Sequence, residues 1–464
     1  MNYLKYAFLI LLTIFLYSNG YSQREKIDLN PGWHFILQDN PKYSNSDIED
    51  TAWHKVDVPH DWAHEGGVSK NGAQLDAGGY HGGGIAWYRK DFEVPSEWNK
   101  KRVLIEFDGV YMNSEVWINA HYLGKRPYGY ISFRYEISKY LKPGKNQISV
   151  RVDNSKEPSA RWYHPCGIYA PVKLVVTGKQ YIKPNGIYIT SPLVSHKKAS
   201  LKINTELLNS SKKKGKALLK TSVCDASGKE IKSVSTSLKW KGGLQLKGEQ
   251  RISLDNPELW SPESPYLYTI VTGLWVKDKL FDQVETKYGI RKIEWKTNSG
   301  FWLNGKACKL LGISEHYEGG PVGGAWTKPL LRWKLSLLKE MGVNAIRTAH
   351  NPVPPMFYDL CDEMGIMVMD EIFDGWKRKA KMDYGEQAFN DWWKTDITEW
   401  LKRDRNHPSV VIYSMGNETN GEVGKELVEK CHEIDPTRPV TSGHSTPEYM
   451  DVLGVNGGSE KQGF

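Results

Sequence analysis

The spacing of apolar residues changes near residue 300, and this change limits the architecture more than any other feature of the chain. Before it, short alternating runs such as Val103–Phe107 and Val172–Val176 are separated by turn residues. Many short strands without helical stretches are typical of β-sandwiches. Lys and Pro interrupt the pattern at Gly178–Pro184. We therefore predict two β-sandwiches, at residues 26–180 and 181–290.

After the change, apolar residues recur at the helical period and alternate with short apolar runs. The predicted helices are Lys328–Met341, Pro354–Met364, Phe389–Arg405 and Glu422–Ile434. The predicted strands are Lys309–Ile313, Val343–Thr348, Ile366–Asp370, Val410–Ser414, Pro439–Ser442 and Val452–Asn456. Strands separated by helices or helix-like connections indicate a parallel α/β fold, which we expect to be an incomplete (β/α)8 TIM barrel over residues 291–464. A doubly wound sheet is the alternative, but no Gly-rich phosphate loop follows any predicted strand.

The N-terminus has the features of a secretory signal. Lys5 supplies positive charge, Ala7–Leu16 is an apolar run, and Ser18–Gln23 is small and polar. The run is too short to span a bilayer comfortably, and a mean hydropathy of -0.55 excludes a polytopic membrane protein. We expect a signal peptide at residues 1–22, no membrane span, and a secreted or periplasmic protein.

Charge and cysteine usage exclude other classes of function. The net charge of +8 is spread along the chain, and its densest cluster, Lys212–Lys214 with Lys216, has no interleaved aromatic residues. Nucleic-acid binding is therefore not expected. The five Cys are scattered and contain no CxxC pair, so they indicate neither a disulfide framework nor a metal site. No metal and no cofactor are expected.

Polar side chains crowd the ends of three consecutive predicted strands. The second strand runs into Arg347, His350 and Asn351, the third ends in Asp370-Glu371, and the fourth leads to Asn417-Glu418. Any one of these groups could serve the scaffold alone. Because active residues of a barrel lie at the carboxyl ends of its strands, three such ends together indicate an active site.

One segment carries a specific resemblance. Residues 403–418, Arg-Asp-Arg-Asn-His-Pro-Ser-Val-Val-Ile-Tyr-Ser-Met-Gly-Asn-Glu, resemble the acid/base signature of family 2 glycoside hydrolases, which include β-galactosidases, β-glucuronidases and β-mannosidases. Pro59–Trp62, Trp87–Lys90 and Tyr111–Gly124 resemble the family's sugar-binding, jelly-roll-like sandwich, and Asn256–Pro262 resembles the end of its immunoglobulin-like middle domain. The resemblance implies a multidomain fold of two β-sandwiches followed by an α/β barrel.

The resemblance also implies roles for individual residues. Glu418 matches the general acid/base, and Asn417 matches the residue that hydrogen-bonds the sugar 2-hydroxyl. Arg347, His350 and Asn351 would line the sugar-binding floor, with Glu371 as a further rim group. Trp376 could stack on a sugar face, although a packing role is equally compatible with the sequence.

The family's second carboxyl group is expected to lie outside this chain. Retaining glycosidases use two carboxyl groups about 5–5.5 Å apart, and in this family the nucleophilic Glu follows the seventh strand. Residues 301–464 supply 164 residues, whereas a full barrel needs about 250. We expect little turnover by the chain alone, and Glu371, Asp370, Glu315 and Glu318 are the only internal candidates to replace the nucleophile. The open strand edges of such a barrel would favour pairing, including homo-oligomer formation.

These observations leave two classes of function. The first is a β-galactosidase-type hydrolase of terminal β-linked sugars in a glycoside or oligosaccharide, with β-glucuronidase or β-mannosidase specificity as the alternative. The second is a non-catalytic carbohydrate-binding protein that uses its sandwiches, which is suggested by the 18 Trp of the chain. A metal or nucleotide enzyme has no supporting ligand cluster or phosphate loop in the sequence.

Overall fold

The computed structural model describes residues 24–157, 159–376, 388–417, 421–443 and 448–455. The predicted signal peptide lies outside the described residues. No helix within them is long and apolar enough to span a bilayer.

The first domain is a sandwich of two antiparallel sheets. Its strands are β1 (Glu25–Asp28), β2 (Trp33–Ile36), β3 (His54–Val56), β4 (Gly84–Val94), β5 (Arg102–Phe107), β6 (Ser114–Ile118), β7 (His121–Arg126), β8 (Phe133–Glu136), β9 (Gly144–Asn154) and β10 (Val172–Thr177), with a short helix α1 (Trp62–Glu65). The sheet orders are β1-β10-β5-β8 and β3-β2-β4-β9-β6-β7. Alternate residues, such as Ile105 on β5 and Val150 on β9, meet between the sheets in one apolar core.

A second sandwich follows directly. Its strands are β11 (Gln180–Val194), β12 (Lys198–Asn209), β13 (Gly215–Cys224), β14 (Glu230–Trp240), β15 (Gln245–Asp255), β16 (Tyr268–Val276) and β17 (Lys279–Tyr288). They form sheets of order β11-β12-β15 and β14-β13-β16-β17 around a separate core. A small antiparallel sheet, β18 (Ile293–Lys296), β19 (Gly300–Leu303) and β20 (Lys306–Ala307), leads into the last domain. Single 3-10 turns lie at Pro41–Ser44, Ser96–Trp98, Ser138–Tyr140 and Gly320–Val322.

The last domain is a partial parallel barrel whose strand order follows the chain. Its elements are β21 (Gly312–Glu315), α2 (Lys328–Glu340), β22 (Ala345–Thr348), α3 (Pro355–Met364), β23 (Met367–Glu371), α4 (Ala388–Asp404), β24 (Val410–Ser414), α5 (Val423–Ile434) and β25 (Val440–Thr441). Thr327 caps α2, since its side chain accepts a hydrogen bond from the Leu330 amide. Gly365 ends α3 in the left-handed conformation at φ +72°.

The prediction of a sixth strand at Val452–Asn456 is wrong over residues 452–455, which the structure describes. Residues 452–455 are not in a strand, and Asn456 lies outside the described residues. The amides of Asp451 and Val452 both donate to the Val440 carbonyl, at 3.0 and 3.2 Å. In a parallel ladder every other amide of a strand donates to a different carbonyl of its neighbour, so two consecutive amides on one carbonyl form a turn against β25 and not a strand beside it.

Both sandwiches pack against the barrel. Trp260, at the end of the second sandwich, is fully buried and its indole N–H donates to the Asp362 carbonyl at 2.9 Å. Arg126, from the first sandwich, reaches Asp396 and Glu399 on α4, at 3.2 and 2.7 Å. Replacing a buried Trp by Ala typically costs about 3–5 kcal/mol, so Trp260 is a substantial part of the second interface. These contacts fix the sandwiches relative to the strand ends of the barrel.

Candidate active site

The carboxyl ends of β22, β23 and β24 meet at one edge of the barrel sheet. In the parallel ladders, Arg347 lies opposite Met369, and Glu371 lies opposite Ser414. Side chains that follow these strands therefore converge on one rim, as predicted for a barrel enzyme.

Glu371 is the centre of the rim. It is fully buried, and the Arg347 guanidinium donates to both of its carboxylate oxygens at 2.9 to 3.1 Å. His350 Nδ1 lies 2.6 Å from Glu371 Oε1, and the Ser414 hydroxyl donates to Oε2. A bidentate Arg pair with two further partners fixes the carboxylate in one orientation. Glu371 therefore acts as an anchor that holds Arg347 and His350 in place.

The neighbouring acid Asp370 faces the other way. Successive residues of a strand point to opposite faces, and Asp370 accepts a hydrogen bond from the Tyr358 hydroxyl of α3 at 2.6 Å. Burial, with the nearby charge of Asp404, raises the pKa of Asp370 well above its usual range. Glu315, at the end of β21, pairs instead with Lys334 of α2. Of these carboxylates, only Glu371 lies at the rim.

Asn417 joins two Arg–carboxylate pairs. Its Oδ1 accepts a hydrogen bond from Arg347 at 3.1 Å, and its Nδ2 donates to Asp374 Oδ1 at 3.0 Å. Asp374 in turn accepts from Arg161 of the first sandwich, at 2.7 and 3.2 Å. Asp374 is buried, whereas the Arg161 side chain is 36% exposed. The amide of Asn417 is thereby held in a single orientation, and its O and N positions follow from these partners.

An aromatic wall borders the same rim. Trp162, from the first sandwich, lies 4.8 Å from the His316 ring and 5.2 Å from the His350 ring between centroids. Burial, together with the neighbouring His350, lowers the pKa of His316 to about 4, so His316 is neutral at neutral pH. An indole beside the neutral imidazole of His316 offers an apolar face of the kind that packs against sugar rings.

The structure brings Arg347, His350, Glu371 and Asn417 together, and it places the other predicted residues differently. Asn351 is buried with its Nδ2 on the Pro352 carbonyl at 2.9 Å, and its Oδ1 has no partner among the described residues. Trp376 is only 2% exposed and packs in the barrel core, which supports its packing interpretation. Glu418 lies outside the described residues.

Four residues of the rim were missed by the sequence analysis: Arg161, Trp162, His316 and Asp374. Asp374 and His316 follow the ends of β23 and β21 by a few residues, so the strand-end argument could have reached them. Arg161 and Trp162 lie on the loop between β9 and β10, more than 200 residues from Asp374, and no local pattern marks them. The two rim carboxylates among the described residues, Glu371 and Asp374, are each paired with Arg.

Comparison with known proteins assigns all three domains to one family. The model of the glycosyl hydrolases family 2 sugar binding domain matches residues 27–178, the family 2 model matches 180–291, and the family 2 TIM barrel domain matches 294–460. The chain belongs to glycoside hydrolase family 2. The resemblance drawn from residues 403–418 is thereby confirmed, as is the multidomain β plus α/β fold.

Relatives within family 2 carry two different activities in their names. A putative β-glucuronidase of Formosa agariphila is 53% identical over 458 residues, covering 98% of this chain and 43% of that protein. A β-galactosidase of Bacteroides ovatus is 38% identical over 484 residues, covering 94% and 57%. The crystal structure of a β-glycosidase from Bacteroides vulgatus has 43% identity and a TM-score of 0.88, covering 93% and 56%. The chain thus spans about half the length of the relatives it matches.

Proposed function

We propose that this chain supplies the substrate-binding rim and the general acid/base of a retaining β-glycosidase that hydrolyses terminal β-linked sugars. The observation that carries the proposal is the fixed Asn417 amide, held between Arg347 and Asp374 where three strands end. Asn417 directly precedes Glu418, the residue that matches the family's acid/base. A rigid amide at this point can bind the sugar 2-hydroxyl, an interaction that strengthens in the transition state.

A retaining mechanism uses two carboxyl groups, and we propose Glu418 as the one that serves as general acid/base. Glu418 would protonate the leaving oxygen and later deprotonate the attacking water, since one residue serves both steps of the retaining mechanism. Arg347 and His350, fixed by Glu371, would orient the sugar hydroxyls, and Trp162 would cover an apolar sugar face. Glu371 is already engaged by three side chains, which makes it a poor candidate for the nucleophile.

The charge of the rim favours a neutral sugar, and the name of the Bacteroides ovatus relative supports galactose among the neutral sugars. Recognition of a glucuronate carboxylate needs a cation that is free to pair with it. Among the described rim residues, Arg347 is paired with Glu371 and Arg161 with Asp374, so both cations are balanced. The name of the Formosa agariphila relative supports β-glucuronidase activity as the second candidate.

Hydrolysis by the purified chain of aryl β-galactoside, β-glucuronide and β-mannoside tests the proposal. We expect hydrolysis by the chain alone to be slow, with the galactoside as the best substrate. Glu418→Gln should abolish this residual hydrolysis, while the exposed control Glu429→Gln on α5 keeps the wild-type rate. Preferred turnover of the glucuronide would support the second candidate. Absence of turnover, together with galactoside binding that Glu418→Gln leaves unchanged, would instead indicate a non-catalytic carbohydrate-binding protein.

We also propose that residues 1–22 direct export and are removed near Ser22. The apolar run and the polar residues after it support this proposal. N-terminal sequencing of the exported product should begin within a few residues of Gln23, and a product that retains Met1 would contradict it.

A further inference from the structure

A second group of reactive side chains lies outside the rim, on the loop between β9 and β10. Glu157, His164 and Cys166 each offer one donor atom, and these atoms lie within 4.8 Å of one another. The side chains of Glu157 and His164 are 2% and 1% exposed, and Cys166 is fully buried. Cysteine spacing does not predict a metal site here, because a mixed donor set on one loop contains only one Cys.

His164 lies between the other polar side chains of this group. Its Nε2 lies 3.2 Å from Glu157 Oε2 and 3.1 Å from the Ser159 hydroxyl, and its Nδ1 lies 3.5 Å from the Pro165 carbonyl. A ring hydrogen on Nε2 would join His164 to Glu157, and a metal ion in place of that hydrogen would have the same two atoms as ligands.

The surroundings of this group add negative charge. Asp61 is buried beside it and accepts a hydrogen bond from the Cys166 amide at 2.9 Å. Asp61 also accepts hydrogen bonds from the Tyr163 hydroxyl and the Gly324 amide, whereas Glu157 forms no ion pair with Lys or Arg within the described part of the chain. Buried carboxylates are normally balanced by a cation, so a bound cation would stabilise this region.

We propose that Glu157, His164 and Cys166 bind a single divalent ion of the zinc type. A thiolate, an imidazole nitrogen and a carboxylate oxygen are the ligands that Zn²⁺ takes in tetrahedral sites, whereas Ca²⁺ and Mg²⁺ prefer oxygen ligands throughout. Water or the Ser159 hydroxyl, 3.3 Å from Glu157 Oε1, would complete the four ligands. As the sulfur–metal bond forms, the Cys166 thiol releases its proton to solvent.

A metal at this point would also position the candidate active site. The same loop carries Arg161 to Asp374 and Trp162 to the His350 ring. Asn154, at the end of β9, donates to Cys166 Sγ at 2.9 Å, so the ligands are connected to the sheet of the first sandwich. One ion would thus close the loop on the sandwich and hold both residues over the barrel rim.

Zinc content and zinc-dependent stability of the purified chain test this inference. We expect about one zinc per chain by plasma mass spectrometry after dialysis, and a melting temperature that rises when zinc is added to chelator-treated protein. Glu157→Gln keeps the shape of the side chain and should weaken zinc binding by at least about tenfold. Cys166→Ala should abolish the thiolate-to-metal absorption band of the cobalt-substituted protein, and Cys361→Ala, a buried thiol of the barrel core, should keep it.

Two results would overturn the inference. One is wild-type protein that holds less than about a tenth of an equivalent of zinc and gains no stability from it, which would mean that hydrogen bonds alone hold the three side chains together. The other is zinc binding that both Glu157→Gln and Cys166→Ala leave unchanged. Should Cys166→Ala fail to fold, Glu157→Gln and the zinc content of the wild type decide the matter.

Discussion

The His407–Asp362 pair gives the sharpest test of how the barrel is held together. His407 belongs to the segment that carries the family resemblance, yet it precedes β24 and so lies at the opposite end of that strand from the rim. Its Nδ1 is 2.6 Å from Asp362 Oδ2, and its side chain is 15% exposed. Asp362 is buried on α3, and its other oxygen accepts from the Ser409 amide at 3.0 Å. His407→Gln removes the charge and leaves the carboxylate without its cation.

The size and pH dependence of the effect follow from the pKa. Burial alone would lower the pKa of His407, but Asp362 outweighs it and raises the pKa to about 9. Relative to an unfolded value near 6.5, this difference corresponds to about 3 kcal/mol of stability. Because the folded-state pKa is raised, this stability is fully present below about pH 6.5 and is lost as the pH rises through 9. Removing one partner of a buried pair typically costs about 3–5 kcal/mol, in the same range.

Hydrogen exchange of the β24 amides, followed by mass spectrometry, measures the effect within the barrel. At pH 6 we expect His407→Gln to lower the free energy of opening by about 3 kcal/mol, and we expect the difference from wild type to shrink toward pH 10. His432→Gln is the matched control, since the His432–Asp451 pair is 2.8 Å long but both side chains are exposed by more than a third. A loss below about 1 kcal/mol, or a loss that does not vary with pH, would refute the assigned role of the pair.

Three further predictions concern the rim, a domain interface and a helix end. Glu371→Gln should weaken galactoside binding, measured by calorimetry, by at least about tenfold, because Arg347 loses the carboxylate that holds it. The circular dichroism spectrum should stay unchanged, and an unchanged affinity would contradict this role of Glu371. Burial raises the pKa of Asp396 to about 7 despite Arg126, so wild-type stability should fall as pH rises from about 4 through 7, and urea unfolding of Asp396→Asn should lack that decline. Gly365→Ala would bring a Cβ to 2.5 Å from the Pro262 carbonyl oxygen. It should therefore lower the melting temperature more than Gly342→Ala, because Gly342 also has a left-handed φ but no atom within 4 Å of the added Cβ. Equal losses would show that backbone strain alone determines the effect.

Local sequence signals predicted the bounds of the helices closely, because the ends of a helix depend on nearby residues. The predicted helix Lys328–Met341 is observed as Lys328–Glu340, between a Thr cap and a terminal Gly. The first barrel strand was predicted at Lys309–Ile313 and lies at Gly312–Glu315. Its position is set by pairing with β22, which a pattern within the strand cannot encode.

The candidate site likewise contains some residues that local patterns predict and others that depend on distant parts of the chain. Glu371 and Asn417 could be predicted because parallel strands place their carboxyl ends together, whatever the rest of the chain does. Arg161 and Trp162 could not, since they reach the rim only through the packing of one domain on another. The 18 Trp of the sequence were equally ambiguous, and several prove to be core residues, among them Trp33, Trp87, Trp260, Trp326 and Trp400, each less than 2% exposed.

The first sandwich is part of the candidate site, because its residue Arg161 pairs with Asp374 at the rim. Alternating donors and acceptors run from Arg347 through Asn417 and Asp374 to Arg161, so the orientation of the Asn417 amide depends on both domains. Asp374 is 1% exposed, and a barrel separated from its sandwich would hold this carboxylate without its Arg161 partner. Asn417 would then donate to a carboxylate that Arg161 no longer holds in place. The sugar-binding sandwich is therefore required for the geometry next to the proposed acid/base, even before any sugar is bound.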